Sequence, residues 1–100
     1  MIYFVRSWKI IPETKTEAME WIRRLAKYNN EKWPETPIEL LTNNSGALNQ
    51  LHWVGKFDSL GDFEEARDRF HSDEGVKAIM GERKIYFTGD VNTFYSIVEF

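Results

Sequence analysis

The first segment of the chain has no polar face that could be exposed to water. Ile2 to Ile11 is rich in aromatic and β-branched residues, which favour a β-strand, and it ends at Pro12, which cannot donate to a sheet ladder. Successive side chains of a strand point to opposite faces, and here apolar side chains occupy both parities. Both faces of the sheet that contains this strand therefore need to be shielded from solvent.

The next segment has the pattern of an amphipathic helix. Thr14 and Glu17 have the spacing of a capping box, and apolar residues then recur at helical spacing. These residues are Ala18, Trp21, Ile22, Leu25 and Tyr28. The helix is expected to run to about Lys32 and to end before Pro34, because the residue before a proline disfavours helical geometry.

Two short strands are predicted to follow as a hairpin. A proline-containing connection over residues 33–37 leads into a strand from Ile38 to Thr42. The sequence Asn43-Asn44-Ser45-Gly46 has residues that tolerate positive φ and is predicted to form the turn. Leu48 to Phe57 is the second strand of this hairpin.

The second helix is predicted in two parts. Ser59 is expected to cap the first part, in which apolar and cationic residues recur at helical spacing. These residues are Phe63, Ala66, Arg67 and Phe70. The pattern breaks at residues 71–75, where Ser72 is expected to cap a second part that ends at Gly81.

The last segments complete a βαββαβ order. Glu82 to Asp90 is predicted to be a connector with a turn at Gly89-Asp90, and Val91 to Phe100 alternates as the final strand. This order is typical of the ferredoxin-like unit, an α+β fold with a four-stranded antiparallel sheet and two helices on one face. A chain of 100 residues has room for one core, so we predict a single domain over residues 1–100.

The parity of the first strand predicts what the uncovered face of the sheet contains. If the even-numbered positions pack under the helices, the odd-numbered apolar positions Tyr3, Val5 and Ile11 form a bare patch. The reverse parity would leave a larger bare patch. Exposed apolar patches of this kind usually mark an interface. A homodimer that pairs two sheets face to face would cover both patches and form an eight-stranded α+β barrel.

Composition excludes several classes of protein. The chain has 13 Lys plus Arg against 16 Asp plus Glu, whereas nucleic-acid binders usually have a basic excess. It has no cysteine, which removes disulfides, Cys-type metal sites and thiol nucleophiles, and two histidines are too few for a His-only metal site. No apolar run is long enough to span a membrane, and no signal peptide is recognisable. We expect a cytoplasmic protein without metal, cofactor, nucleic-acid or membrane partners.

Three blocks of the sequence resemble the NIPSNAP family. The segment from Gly46 to Leu60 reads GALNQLHWVGKFDSL, which is similar to the family's Gly-x-Leu-Asn-Gln start, its His- and Trp-containing strand and its aromatic-Asp-Ser-Leu helix start. The opening MIYFVRSW is similar to the family's first strand, and residues 64–75 resemble its second helix. The resemblance implies a dimeric α+β barrel fold within the ferredoxin-like superfamily. It implies no particular reaction, because the family as a whole has no settled one.

The sequence departs from the family pattern at two positions. His52 stands one step earlier than the family's strand histidine, which puts its side chain on the other face of the strand. Gly75 stands where the family has an aromatic residue. The superfamily also contains cofactor-free monooxygenases and haem-degrading enzymes. The haem-degrading signature is not matched, because Arg6 stands about where its asparagine would be and the second helix has no tryptophan.

Four residues are the candidate ligand contacts: Arg6, Trp8, His52 and Trp53. Arg6 shares its parity with apolar neighbours, so its guanidinium needs either a structural ion pair or a ligand anion. His52 is expected either to be a half-buried, hydrogen-bonded residue or to face a cavity, and His71 is expected on the solvent side. The tryptophans either line an apolar cavity or pack in the core and interface.

Three functions are compatible with these residues. The first is a homodimer that binds a small apolar or aromatic ligand in the cleft between sheet and helices. The alternative, implied by the superfamily, is a cofactor-independent monooxygenase-like enzyme that acts on an aromatic or polyketide-like substrate. The third is an interaction subunit, which predicts no cavity beneath the helices. No catalytic residue is singled out by spacing, so whether the protein is an enzyme stays open.

Overall fold

The computed structural model describes all residues from Met1 to Phe100 and consists of one sheet with helices on one face. The strands are β1 (Ile2–Ile10), β2 (Ile38–Thr42), β3 (Gln50–Phe57) and β4 (Phe87–Ser96). The helices are α1 (Lys15–Lys32), α2 (Leu60–Ser72) and α3 (Glu74–Gly81). The strand order is β2-β3-β1-β4 with every pair antiparallel. The predicted ferredoxin-like α+β fold is confirmed, with the second helix in two parts.

The start of α1 differs from the predicted capping box. A short 3-10 helix over Pro12–Thr14 precedes α1, and the Thr14 side chain caps nothing. Its hydroxyl instead donates to the Ile11 carbonyl at 2.9 Å. The prediction is wrong because Pro12, whose φ suits a helix start, begins the 3-10 helix three residues before α1.

The break between α2 and α3 lies where the sequence places it, but another residue caps α3. Ser59 caps α2 as predicted and accepts a hydrogen bond from the Asp62 amide at 3.2 Å. Asp73, not Ser72, caps α3 and accepts from the Val76 amide at 3.1 Å. Ser72 is the last residue of α2, where its hydroxyl donates to a carbonyl of the preceding turn.

The final strand begins and ends earlier than predicted. β4 runs from Phe87 to Ser96, so that Gly89 and Asp90 lie inside the strand instead of in a turn, and Phe100 lies beyond its end. The register between β1 and β4 shifts in this region, and Gly89 has a φ of 64°. The shift is a β-bulge, at which a glycine with positive φ adds no steric cost.

The buried core lies between the sheet and the helices α1 and α3. It contains Trp8, Ile10, Ala18, Trp21, Ile22, Leu25, Trp33, Leu51, Val76, Tyr86 and Phe87. The even-numbered residues of β1 face the helices, since Trp8 and Ile10 are buried and the Phe4 ring contacts that of Phe63 with centroids 4.6 Å apart. Of the two parities considered for the first strand, the structure has the one that places the even-numbered residues under the helices.

The other face of the sheet is covered by no element of the chain. Tyr3 and Val5 lie on it as predicted, half-buried, and they pair across β1 and β4 with Tyr95 and Thr93. Further apolar side chains of this outer face are Val54, Leu41 and Val91. Ile11, the third residue predicted for this patch, lies beyond the end of β1.

Candidate functional site

A cleft of about 340 Å³ lies between the helix-covered face of the sheet and the helices. It forms because α2 stands away from the sheet: α2 has one buried residue, Phe63, whereas α1 has six. Ala66, on the side of α2 that borders the cleft, has too short a side chain to fill the space. The volume lies in the range of small-molecule sites, which is roughly 300–1,000 Å³.

Aromatic rings form much of the cleft wall. At one end, the ring of Phe63 contacts Phe4, Phe57 and Phe94 with centroid distances of 4.6, 5.4 and 5.0 Å. In the middle, Trp53 meets a second α2 phenylalanine edge to face at 5.8 Å. Such walls suit flat apolar molecules, because aromatic side chains pack best against other rings.

Arg6 lies in the cleft wall and forms the ion pair that its parity required. Its Nε donates to Oδ1 of Asp90 at 2.9 Å and its Nη2 to Oδ2 at 2.5 Å. These bonds hold the pKa of Asp90 below its ordinary value. The guanidinium carbon also lies 5.1 Å from the Trp8 ring centroid, a cation–π distance. Arg6 is therefore a structural ion-pair partner and a wall residue at once.

Trp8 and Trp53 line the same cleft as Arg6. Trp53 is paired with Arg6 in the register of β1 and β3, which places both side chains on the helix face. Trp8 is 7% exposed, and its Nε1 is buried without a hydrogen-bond partner. A buried N–H without an acceptor is costly, so this group is an unused donor on a residue that lines the cleft.

His52 does not join the other three predicted contacts. It is paired with Ser7 on the outer face of the sheet, so the structure does not bring His52 together with Arg6 at the cleft. The Ser7 hydroxyl donates to His52 Nδ1 at 2.7 Å, and Nε2 donates to Asn43 Oδ1 at 2.7 Å. Both ring nitrogens are satisfied by protein groups, as in the hydrogen-bonded alternative considered for this residue.

The cleft has more positive charge than the sequence patterns indicate. Arg67, Arg69 and Arg83 border it, as does His71, which is exposed as expected. Arg67 could have been found, because it lies at helical spacing with the phenylalanines of α2. Arg69 and Arg83 could not, because no periodicity in the sequence places them at the cleft.

Arg69 is held on the wall by the segment that connects α1 and β2. Its Nη1 donates to Glu35 Oε1 at 3.2 Å and its Nη2 to Thr36 Oγ1 at 2.8 Å, while its Nε is buried without a partner. The guanidinium carbon lies 5.0 Å from the Trp33 ring centroid. Two residues of the cleft wall, Trp8 and Arg69, thus each have a buried N–H group for which the protein provides no hydrogen-bond acceptor.

No group of three or more His, Asp or Glu side chains is arranged to hold a metal ion. None of the three helices is long and apolar enough to cross a bilayer.

Comparison with solved structures shows what this fold is similar to. An uncharacterized NIPSNAP domain protein from Burkholderia xenovorans has a TM-score of 0.85 at 17% identity, with 100% of this chain and 97% of that chain covered. A NIPSNAP family protein from Agrobacterium tumefaciens has a TM-score of 0.84 at 18% identity, covering 99% and 94%. An antibiotic biosynthesis monooxygenase has a TM-score of 0.74 at 12% identity, covering 99% and 100%. At these identities the likeness is one of fold.

Comparison of the sequence itself gives the family. No curated protein sequence matches the chain significantly. The sequence model of the NIPSNAP family matches residues 3–100, nearly the whole chain, and the structure has the fold of the NIPSNAP proteins described above. The chain therefore belongs to the NIPSNAP family.

Proposed function

We propose that this NIPSNAP protein binds a small, largely apolar or aromatic molecule in the cleft between the sheet and α2. The observation that carries the proposal is the open cleft of about 340 Å³, walled by aromatic rings, with the buried Nε1 of Trp8 left without an acceptor. Apolar walls with a few placed polar groups are the usual composition of a ligand site. A protein that acts only as an interaction subunit would not need this cleft.

A fluorescent, uncharged probe tests the proposal. N-phenyl-1-naphthylamine should bind with a rise in probe fluorescence, and Ala66→Trp, which fills the cleft, should abolish that rise. The matched control is Ala78→Trp, because Ala78 lies exposed on α3 outside the cleft. Equal binding by both variants and the parent would place the probe elsewhere and refute the proposal.

We further propose that the protein is a homodimer that pairs the outer faces of two sheets. The support is the apolar outer face described above, on which Leu41, Val91 and Tyr95 are 49%, 57% and 53% exposed. Beyond β4, Ile97 and Val98 are also exposed, and they continue the apolar surface along the chain. Contiguous exposed apolar side chains of this kind are uncommon in a protein that stays monomeric.

Sedimentation tests the dimer. The parent should sediment at twice the monomer mass of 11.9 kDa at micromolar concentration. Val54→Asp, which puts a charge in the middle of the outer face, should give the monomer. Ala78→Asp adds the same charge on an exposed helix and should remain a dimer. A parent that is monomeric under these conditions would contradict the proposal.

A cofactor-independent monooxygenase-like activity in the same cleft is the second candidate. It is favoured by the fold shared with the antibiotic biosynthesis monooxygenase, and the aromatic wall suits an aromatic or polyketide-like substrate. Oxygen consumption with quinol-type substrates, lost in Ala66→Trp and retained in Ala78→Trp, would support it. Absence of consumption with substrates shown to bind in the cleft would leave the protein as a binder.

A further inference from the structure

The cleft is bordered by positive charge in a protein whose net charge is negative. Acidic residues outnumber basic ones and the net charge is -3, yet no aspartate or glutamate borders the cleft. Four arginines do: Arg6, Arg67, Arg69 and Arg83. A partly enclosed site lined by one sign of charge raises the local concentration of ligands of the opposite sign. The lining therefore favours an anion.

The four arginines are not equally available to a ligand. Arg6 and Arg69 each have a carboxylate partner distant in sequence, and Arg67 forms an ion pair only with the adjacent Asp68, at 3.3 Å. Arg83 forms no ion pair. Arg83 is therefore the cleft arginine whose charge is compensated by no carboxylate.

Arg83 and Arg6 lie on one stack of aromatic rings. The guanidinium carbon of Arg83 is 5.7 Å from the ring centroid of Phe87, which stacks on Trp8 at 5.3 Å, and Arg6 lies 5.1 Å from that same Trp8 ring. The charge of Arg83 also contributes to the lowered pKa of Asp90. Because the Asp90 carboxylate is bonded to Arg6, the positive charge of Arg83 has no carboxylate of its own at this end of the cleft.

The indole of Trp8 gives a second, independent sign of a ligand at this end. Its Nε1 is buried and has no acceptor in the protein, although the side chain is more than nine-tenths buried. An oxygen of a bound anion would satisfy this donor. Hydrogen bonds to a charged acceptor are also stronger than those to a neutral one, so an anion gains most from this group.

Resting on the proposed function, we propose that the cleft ligand is an aromatic or apolar organic acid. Its anionic group lies between Arg83 and the Trp8 indole N–H, and its ring lies against the phenylalanine wall formed with Phe63. The uncompensated positive charge, the unused donor and the apolar wall lie along one cleft, and this combination matches a molecule with one charged end and one flat apolar end.

Two probes with the same ring skeleton separate the effect of ligand charge on affinity from the effect of ligand shape. The anion 8-anilinonaphthalene-1-sulfonate and the neutral N-phenyl-1-naphthylamine differ by a sulfonate. Titration of the full chain with each, at neutral pH and about 0.15 M salt, should give about tenfold tighter binding of the sulfonate. Ala66→Trp should abolish binding of both probes. Sulfonate binding that Ala66→Trp leaves intact would lie on another surface and would overturn the inference.

Removal of the charge tests the role of Arg83 directly. Arg83→Gln should weaken sulfonate binding by about tenfold and change binding of the neutral probe by less than about twofold. Arg83 is exposed and has no ion pair to lose, so the variant is expected to fold, which circular dichroism checks. Arg23→Gln removes an equal charge from an exposed helix position outside the cleft and should change neither affinity.

The outcomes separate this inference from the function it rests on. Equal affinity for the two probes, with both displaced by Ala66→Trp, would overturn the anionic ligand and leave the apolar ligand site standing. Unchanged sulfonate affinity in a folded Arg83→Gln protein would overturn it as well. Failure of both probes to bind in the cleft would refute the ligand site and the inference together.

Discussion

His52 and Trp53 are neighbours in β3 and lie on opposite faces of the sheet. Trp53 borders the cleft, while His52 is held on the outer face between Ser7 and Asn43 by two hydrogen bonds of 2.7 Å. Only one of the two side chains can therefore contact a ligand in the cleft. The other belongs to the surface through which we propose that the dimer forms.

The different positions of Trp53 and His52 predict different effects of their alanine variants on ligand affinity. Trp53→Ala should weaken binding of N-phenyl-1-naphthylamine by about tenfold, because it removes an aromatic wall residue. His52→Ala should leave that affinity within about twofold, because its side chain lies across the sheet from the cleft. Fluorescence titration of both variants gives the comparison. A loss of affinity in a folded, dimeric His52→Ala protein as large as in Trp53→Ala would contradict this placement.

Sequence patterns were sufficient for the fold, but they left open which face of the first strand lies under the helices. Alternation in β1 puts Trp8 and Val5 on opposite faces, and the structure shows that Trp8 is the one under the helices. The same rule separates His52 from Trp53. Which face each one takes, however, depends on the register with β1, and a single strand does not contain that information.

The charged part of the site depends on contacts distant in sequence. Arg6 and Asp90 are 84 positions apart, and the sequence predicted a turn at Asp90. Asp90 lies inside β4 at the bulge, and its carboxylate reaches Arg6, whose own partner in the register is Asn92. Arg83 follows the end of α3, and no periodicity relates it to the sheet. Such pairings come from tertiary packing, which local patterns do not encode.

Asp90→Asn should raise affinity for an anion in the cleft. Asp90 neutralises Arg6, so its replacement frees the guanidinium, and 8-anilinonaphthalene-1-sulfonate should bind several-fold more tightly. The neutral probe should show no such gain. If the two probes respond equally to Asp90→Asn, charge at Arg6 does not act on the ligand.

The same substitution should alter stability in acid. The folded-state pKa of Asp90 lies below its ordinary 3.8, so its ion pair stabilises the protein above about pH 4 and is lost as pH falls through the folded value. Because the pair is partly exposed, we expect Asp90→Asn to cost about 0.5–1 kcal/mol of unfolding free energy at neutral pH. The difference from the parent should shrink below pH 4 in urea titrations. A constant difference would show that the ion pair is not its source.

Gly75→Ala should destabilise the junction of α2 and α3. A Cβ on Gly75 would lie 2.0 Å from the hydroxyl oxygen of Tyr28, which is bonded to Asp73 at 2.7 Å. The tyrosine must move and lose that bond. We expect the melting temperature to fall by about 4–8 °C, as for a loss of about 1 kcal/mol in a domain of this size. In a Tyr28→Ala background the further effect of Gly75→Ala should largely vanish, and full additivity would contradict the clash.

Asp73 links the junction of α2 and α3 to α1 through its bonds to Tyr28 and Lys32. Loss of the Asp73 charge in acid and loss of the Lys32 charge in alkali should each lower the free energy of unfolding. Its carboxylate caps α3 and accepts from Tyr28 and Lys32, whose hydrogen bonds lower the pKa of Asp73 from 3.8 to about 2. The bonds to Asp73 and Tyr28 raise the pKa of Lys32 above 10.5. The carboxylate contribution is present above about pH 4 and is lost as pH falls toward 2. The ammonium contribution is present below about pH 10 and is lost as pH rises through the raised value.

Two substitutions separate the cap from the ion pair. Asp73→Asn keeps a capping side chain and removes the charge, whereas Asp73→Ala removes both, so the melting temperature should fall further in the alanine variant, by about 4–8 °C relative to asparagine. Thermal melts from about pH 2.5 to pH 5 should show a shallower pH dependence in both variants than in the parent. Glu74→Gln is the control, because the neighbouring Glu74 side chain is 91% exposed and should change neither quantity appreciably. Equal melting temperatures for Asp73→Asn and Asp73→Ala would show that α3 does not depend on its cap.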